Sequence, residues 1–200
     1  MACGVYLKKL QADLQGHLCF GGGVFFMSER NKELIRGLHR KDLTNIKFAG
    51  ALLDMAIEEK EDDLEYALQQ AKEVQRIAAR QSRKENSIAF MNLYWKATLM
   101  LAPYFFVDFL YYMEKDRAPE KRFYMPRRRT LKVVVDDLQD LEDGKLEFYG
   151  LSMPPRVGKS TICIFFMAWV MGKRPNSHNA MSGHSGILAD GFYGEALNLM

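Results

Sequence analysis

The segment from Leu151 to Met171, LSMPPRVGKSTICIFFMAWVM, most constrains what this chain can fold into. A short apolar stretch, LEFYGLSM, leads into a Gly-Lys-Ser-Thr tetrapeptide, and a helical apolar run from Ser160 to Met171 follows it. A strand, a tight turn and a helix in this order direct successive backbone N–H groups into one concavity at the positive end of a helix dipole. The segment therefore predicts a phosphate-binding loop.

The residues after this loop continue the alternation of strands and helices. GKRPNSH is typical of a turn, NAMSGHS of a short strand, and GILADGFYGEALNLM of a helix. Such alternation predicts an α/β fold with a parallel sheet of the P-loop NTPase type. Two strands are too few for a parallel sheet that must be covered on both faces. We therefore expect this sequence to be the front part of a longer protein.

The first half of the chain is predicted to be helical. Apolar residues recur at spacings of three, four and seven from Asn45 to about Arg83. This spacing predicts one long amphipathic helix or a helical hairpin, with a short coiled coil as the alternative. An aromatic-rich helical region follows from Ile88 to Met113, and Pro103 should kink or break it.

Between these regions and the phosphate loop lies a basic segment followed by an acidic one. KDRAPEKRFYMPRRRTLK is predicted to be a loop from its prolines and charges. TLKVVVDDLQDLEDGK is predicted to be a helix that stops at Gly144. The predicted domains are a helical N-terminal region at 1–90, a helical lead-in with a basic loop at 91–145, and the first part of an ATPase domain at 146–200.

Composition excludes several classes of protein. The apolar fraction of 48% and charged fraction of 26% are typical of globular proteins, and a net charge of +3 is too small to indicate nucleic-acid binding by itself. Three cysteines suggest no disulfide framework and favour a reducing compartment. Neither His17 with Cys19 nor His178 with His184 has zinc-type spacing. We expect no signal peptide and no membrane span.

The phosphate loop departs from the usual pattern G-x-x-x-x-G-K-[ST]. Met153 stands at the first glycine, where a positive φ would cost an L-residue about 1–2 kcal/mol. Either the loop accepts that cost or its first bend is built differently. Pro154 and Pro155 remove two N–H donors, and Arg156 adds a cation that could restore the lost charge.

The rest of the loop keeps the residues that phosphate binding needs. Gly158 allows close approach of the backbone, Lys159 would reach the terminal phosphates, and the Ser160 hydroxyl would bind magnesium.

MPPRVGKST resembles the arginine-bearing Walker A variant of the large terminase subunit of tailed bacteriophages. The segments EKRFYMPRRRTLK and LQDLEDGKLEFYG before it, and NAMSGHSGILADGFYGEAL after it, are similar to the same family. The resemblance covers about Met91 to Met200, and we state none for residues 1–50.

The resemblance implies an ATPase motor that drives double-stranded DNA into an empty capsid, with ATP and Mg²⁺ as cofactors. The implied partners are DNA, the portal protein and the small terminase subunit, in a homo-oligomeric ring of the full-length protein without a membrane. The implied location is the host cytoplasm, transiently at the procapsid portal.

The family's site residues carry over by position. Arg156 and Lys159 would be catalytic, and Ser160 would bind Mg²⁺. The implied nucleotide-binding residues are Pro155, Arg156, Val157, Gly158, Lys159, Ser160, Thr161, Phe123, Tyr124 and Arg127, with Arg128 also near the nucleotide. Phe123 or Tyr124 would stack on the adenine base.

KVVVDDLQD resembles the Walker B strand, but in this family that strand follows the phosphate loop, whereas Asp136 and Asp137 precede it. We instead expect a helix start here, because acidic residues favour that end of the dipole. The Walker B strand, catalytic glutamate and nuclease carboxylates are absent from these 200 residues, so we expect ATPase activity only in the full-length protein. Two alternatives stay open: another P-loop NTPase, such as a kinase or helicase-like ATPase, and a non-catalytic helical adaptor.

Overall fold

The computed structural model describes residues 44–199, of which 72% are helical and none lies in a strand. The predicted α/β fold with a parallel sheet is therefore wrong for the described residues, which form an all-α structure. Cys3, His17, Cys19 and the glycine run at 21–23 lie outside these residues.

Seven α-helices follow one another in the described part of the chain, with short 3₁₀ turns at Glu59–Glu61 and Pro119–Lys121. The helices are α1 Ile46–Glu58, α2 Leu64–Glu85, α3 Ile88–Leu101, α4 Phe106–Glu114, α5 Tyr124–Glu142, α6 Lys159–Lys173 and α7 Gly186–Leu199. They divide into two compact units, residues 44–101 with α1 to α3 and residues 102–199 with α4 to α7.

Of the arrangements predicted for residues 45–83, the first unit contains the helical hairpin, since α1 and α2 are separate helices that pack against each other. Asn45 caps α1 by accepting from the Lys47 amide at 3.0 Å, and Asp63 caps α2 by accepting from the Tyr66 amide at 3.1 Å. These side chains satisfy amides that have no partner inside the helix.

The face of α2 that enters the core carries small side chains. Ala67, Ala71, Val74 and Ala78 are each 0% exposed and recur every three or four residues. Helices α1 and α3 pack against α2. The hydroxyl of Thr98 on α3 accepts from Gln75 Nε2 at 2.9 Å and donates to the Tyr94 carbonyl at 2.8 Å. The buried hydroxyl is thus fully paired.

The second unit has an aromatic core. Trp169 of α6 is 1% exposed, and its Nε1 donates to the Ala102 carbonyl at 2.9 Å. The Phe106 ring on α4 lies 5.3 Å from the Trp169 ring and 5.4 Å from Phe166. Aromatic pairs at such separations add to the stabilisation that burial gives. The break at Pro103 is confirmed, because α3 ends at Leu101 and α4 begins at Phe106.

Helix α5 begins earlier than predicted. It starts at Tyr124, so half of the basic segment that we predicted to be a loop lies in this helix, and Asp136 lies in the helix interior rather than at a helix start. Pro126 occupies the first turn, where its missing N–H costs no helical hydrogen bond. The predicted stop is confirmed: α5 ends at Glu142, and Gly144 has a φ of +74°.

The two predicted strands, at 146–153 and 179–185, are irregular backbone. A strand is stabilised by hydrogen bonds to a neighbouring strand. Among the described residues neither segment has such a neighbour, and Phe148 in the first segment is 84% exposed. The helices predicted around these segments are confirmed as α6 and α7, and the predicted turn after α6 is also present.

Over residues 44–199, no helix combines the length and the apolar character that crossing a membrane requires.

The small residues of the α2 face lead to a stability prediction. Replacing Ala71 with Leu places extra methylene groups into a fully packed site and should lower the free energy of unfolding by about 1–3 kcal/mol. Ala89→Leu on the exposed side of α3 is the control, with an expected change within about 0.5 kcal/mol. Urea unfolding followed by circular dichroism measures both. Equal stability of the two variants would contradict the packing.

Candidate phosphate-binding loop

The loop before α6 is bent by two residues with positive φ. Arg156 has a φ of +66°, and Gly158, the N-cap of α6, has φ +97° and ψ +25°. Met153, at the position of the usual first glycine, is not among the described residues with positive φ. The bend is therefore built differently from the usual loop, because Arg156 rather than Met153 adopts the left-handed conformation.

The first turn of α6 presents uncapped amides. Among the described residues no side chain caps this helix, and its first turn contains no acidic residue. Lys159 and Ser160 are exposed, and Thr161 is half-buried. The free N–H groups at a helix start carry partial positive charge and attract anions. This donor set fits a phosphate group.

The charges of the loop favour the same ligand. Residues 151–161 contain two cations, Arg156 and Lys159, and no carboxylate. Pro155 and Arg156 are exposed, and Val157 is half-buried. One turn into α6, burial raises the pKa of the Cys163 thiol, and the nearby Lys159 ammonium partly opposes that rise. The loop thus combines two cations with the positive end of a helix.

The ring of Phe123 lies directly against the loop glycine. A β-carbon on Gly158 would come within 2.1 Å of Phe123 Cε2, so only glycine fits this position. Phe123 also stacks on Phe165 of α6, with ring centroids 6.0 Å apart and planes at 14°. The structure therefore brings the lead-in segment and the phosphate loop together.

Two arginines flank this pair of rings. The Arg127 guanidinium carbon lies 5.8 Å from the Phe123 ring centroid, and Arg127 Nη1 donates to the Phe123 carbonyl at 3.2 Å. The Arg117 guanidinium carbon lies 5.2 Å from the Phe165 ring. Attraction between guanidinium groups and aromatic rings adds to the packing of both rings.

A buried carboxylate holds the start of α5. Glu114, at the end of α4, is 1% exposed. Its Oε1 accepts from the amides of Phe123, at 2.6 Å, and Tyr124, and its Oε2 accepts from the Met125 amide at 2.9 Å. Sequence reasoning missed Glu114. The available signal was that α5 begins at an aromatic residue with no local capping side chain, so its amides need a distant acceptor.

The residues predicted to contact the base lie in different surroundings. Tyr124 is 1% exposed, its ring lies 5.5 Å from that of Tyr111, and burial raises the pKa of its hydroxyl well above the ordinary value. Phe123 is 8% exposed. Neither ring presents an open face for a base. Arg127 is exposed, and Arg128 Nη1 donates to the Tyr111 hydroxyl at 3.1 Å.

The acidic residues of α5 do not form a metal site with the loop. Burial, aided by a hydrogen bond to Asp137, raises the pKa of Tyr149 to about 12. Asp137 thus interacts with the side chain of Tyr149, in the segment that leads into the loop. Across residues 44–199, no three His, Cys, Asp or Glu side chains cluster as ligands would. The predicted magnesium ligand, Ser160, would need the oxygens of a phosphate ligand to complete the site.

Comparison of the chain with protein-family models, curated proteins and solved structures finds no match. The likeness of Met91 to Met200 to the large terminase subunit stays a prediction, as do the roles of the site residues.

The contact between Gly158 and Phe123 can be tested by substitution. Gly158→Ala combines a positive φ with a steric clash and should lower the free energy of unfolding by about 2–4 kcal/mol. Gly144→Ala is the matched control: it has a φ of +74° but nothing within 4 Å, so only the backbone strain remains. Thermal and urea unfolding compare the two. A Gly158→Ala protein as stable as the Gly144→Ala protein would contradict the ring position.

Proposed function

We propose that residues 151–161 bind the phosphates of ATP with Mg²⁺, and that the chain is the N-terminal portion of a large terminase subunit. The observation that carries this proposal is the pair of left-handed residues, Arg156 and Gly158, directly before the uncapped start of α6. Such a bend turns successive amides toward one point. The exposed Lys159 and Ser160 stand beside it.

Each loop residue has a distinct role in this proposal. The amides of Gly158, Lys159 and Thr161 donate to phosphate oxygens, and the Lys159 ammonium neutralises the terminal phosphates. The Ser160 hydroxyl is a ligand of Mg²⁺, which supplies neutralisation of the phosphate charge when it is bound. Pro155 and Val157 fix the course of the loop backbone.

Arg156 has the catalytic role that the resemblance implies. Pro154 and Pro155 offer no N–H, so the front of the loop is short of hydrogen-bond donors. The Arg156 guanidinium supplies a cation at the same place and stabilises charge that develops on the transferred phosphoryl group. On the base side we retain only Arg127, because Phe123 and Tyr124 are buried in the second unit.

We assign ATP hydrolysis to the full-length protein. Phosphoryl transfer needs carboxylates that hold the metal and orient the attacking water, besides a phosphate cradle. Double-stranded DNA, the portal protein, the small terminase subunit and a ring of copies are partners that we propose for that protein.

A second candidate is a non-catalytic helical adaptor. The observation in its favour is the all-α structure of residues 44–199, since P-loop domains normally build their loop on a sheet. The two candidates differ in one measurable property, because an adaptor would not bind ATP. A P-loop kinase would bind ATP, but double-stranded DNA would not stimulate its full-length form.

Lys159 provides the first test. Lys159→Ala removes a charged contact to phosphate and should raise the dissociation constant for ATP–Mg²⁺ about 10- to 100-fold. In the full-length protein it should abolish ATP-dependent DNA packaging. Isothermal titration calorimetry measures the affinity, and circular dichroism checks the fold. Lys121→Ala, an exposed lysine of the same unit outside the loop, is the control and should bind as the wild type. Unchanged affinity of Lys159→Ala would refute the site.

Arg156 provides the second test. In the full-length protein, Arg156→Ala should lower the rate of ATP hydrolysis about 10-fold or more while changing DNA affinity less than twofold, because the cation faces phosphate rather than DNA. Arg129→Ala, an exposed arginine on α5, controls for the loss of one positive charge. Hydrolysis is followed by phosphate release, and DNA affinity by fluorescence anisotropy. The reverse pattern would place Arg156 on the DNA side.

A further inference from the structure

We propose that Glu114 is the positioning residue of the phosphate loop, acting through the ring of Phe123 on Gly158; this inference rests on the proposed function. The carboxylate binds the backbone at the start of α5. It controls where the Phe123 ring lies, and the ring in turn limits where Gly158 lies.

The first step is the hydrogen bonding of Glu114 to the start of α5. Both carboxylate oxygens accept backbone hydrogen bonds, and the three donors are consecutive residues, Phe123, Tyr124 and Met125. A buried carboxylate is tolerated only when hydrogen bonds replace its lost hydration. Three amides in a row fix the backbone direction at the start of α5 and so fix the origin of the Phe123 side chain.

The second step is the contact between Phe123 and the loop. The ring is packed so closely on Gly158 that no β-carbon fits between them. On α6 the same ring stacks on Phe165, about one helical turn after Thr161, the last residue of the loop. The ring therefore contacts both Gly158, the N-cap of α6, and the body of the helix. Gly158 is the residue whose φ of +97° turns the first amides of α6 toward the proposed phosphate site.

The two steps together join three elements, the end of α4, the start of α5 and the start of α6. Loss of the carboxylate would leave three amides buried without acceptors, and the start of α5 would move to satisfy them. The Phe123 ring would move with it, and Gly158 would no longer be held in one place. Amides that are not preorganised bind an anion less tightly.

The matched control is another carboxylate of this unit, at the opposite end of α5 and α6. Glu142, the last residue of α5, forms ion pairs with Lys173 at 3.3 Å and Arg174 at 2.8 Å at the end of α6, and its side chain is 6% exposed. Glu142→Gln removes a buried charge from the same unit without touching the loop. It separates an effect on positioning from a general loss of stability.

The experiment measures ATP–Mg²⁺ affinity of the 200-residue chain by calorimetry, together with urea unfolding. Glu114→Gln keeps the side-chain shape but turns one acceptor into a donor, and should raise the dissociation constant about five- to tenfold. Glu142→Gln should lower stability and leave the dissociation constant within twofold of the wild type. Equal loss of affinity in both variants, or none in Glu114→Gln, would overturn the positioning role.

A double-mutant cycle tests whether Glu114 acts through Phe123. Phe123→Leu should raise the dissociation constant for ATP–Mg²⁺ about as much as Glu114→Gln does. The double variant should have a dissociation constant no higher than that of the single variant with the lower affinity. Additive losses would overturn the route through the ring. If Glu114→Gln does not fold, Phe123→Leu still tests the inference, because unchanged ATP–Mg²⁺ affinity in Phe123→Leu would refute it.

The outcomes also separate the inference from the proposed function. If the wild-type chain and the Glu114→Gln variant bind ATP–Mg²⁺ equally well, the positioning role of Glu114 is refuted and the proposed function is unaffected. If the wild-type chain does not bind ATP–Mg²⁺, both the positioning role and the proposed function are refuted. Hydrogen exchange at the Lys159 and Ser160 amides of the free chain gives a readout without ligand: faster exchange in Glu114→Gln than in Glu142→Gln is expected, and equal exchange would contradict the inference.

Discussion

The carboxylate of Glu114 and the three amides that it binds form the constraint on which the site depends. A buried charge and a helix start without a local cap are each costly when alone. Together they satisfy each other, and the result is a fixed origin for the Phe123 side chain. The position of the ring then leaves room only for glycine at 158. The need to pair the buried Glu114 carboxylate with amides thus fixes the position of the Phe123 ring, and the ring in turn restricts residue 158 to glycine.

The loop itself shows how two prolines shift a bend along the chain. Pro154 and Pro155 can adopt only negative φ, so the left-handed turn falls on the residue after them, Arg156. An arginine with positive φ is strained by about 1–2 kcal/mol. The compensation that we propose is a ligand: the same residue that bears the strain brings a cation to the anion site. Strained residues of this kind are concentrated at functional sites.

Local features could be predicted well, and long-range pairing could not. The boundaries of α6, the break at Pro103 and the stop at Gly144 follow from hydrophobic spacing and from the backbone preferences of single residues. The parallel sheet was wrong because the apolar segment around Phe148 resembles a strand in composition but has no neighbour to pair with among the described residues. The start of α5 was also misplaced, since its amides are capped by Glu114 of a different helix.

The sequence by itself determined the helical character of residues 45–83, the helix after Gly158 and the cationic, carboxylate-free loop, because each depends on residues a few positions apart. Only the tertiary structure decided that Phe123 is buried against Gly158 and Phe165 rather than open to a base. It also placed Glu114 as the cap of α5. The physical reason is that burial and capping join residues distant in the chain, and the free energy of such contacts depends on packing that no local pattern records.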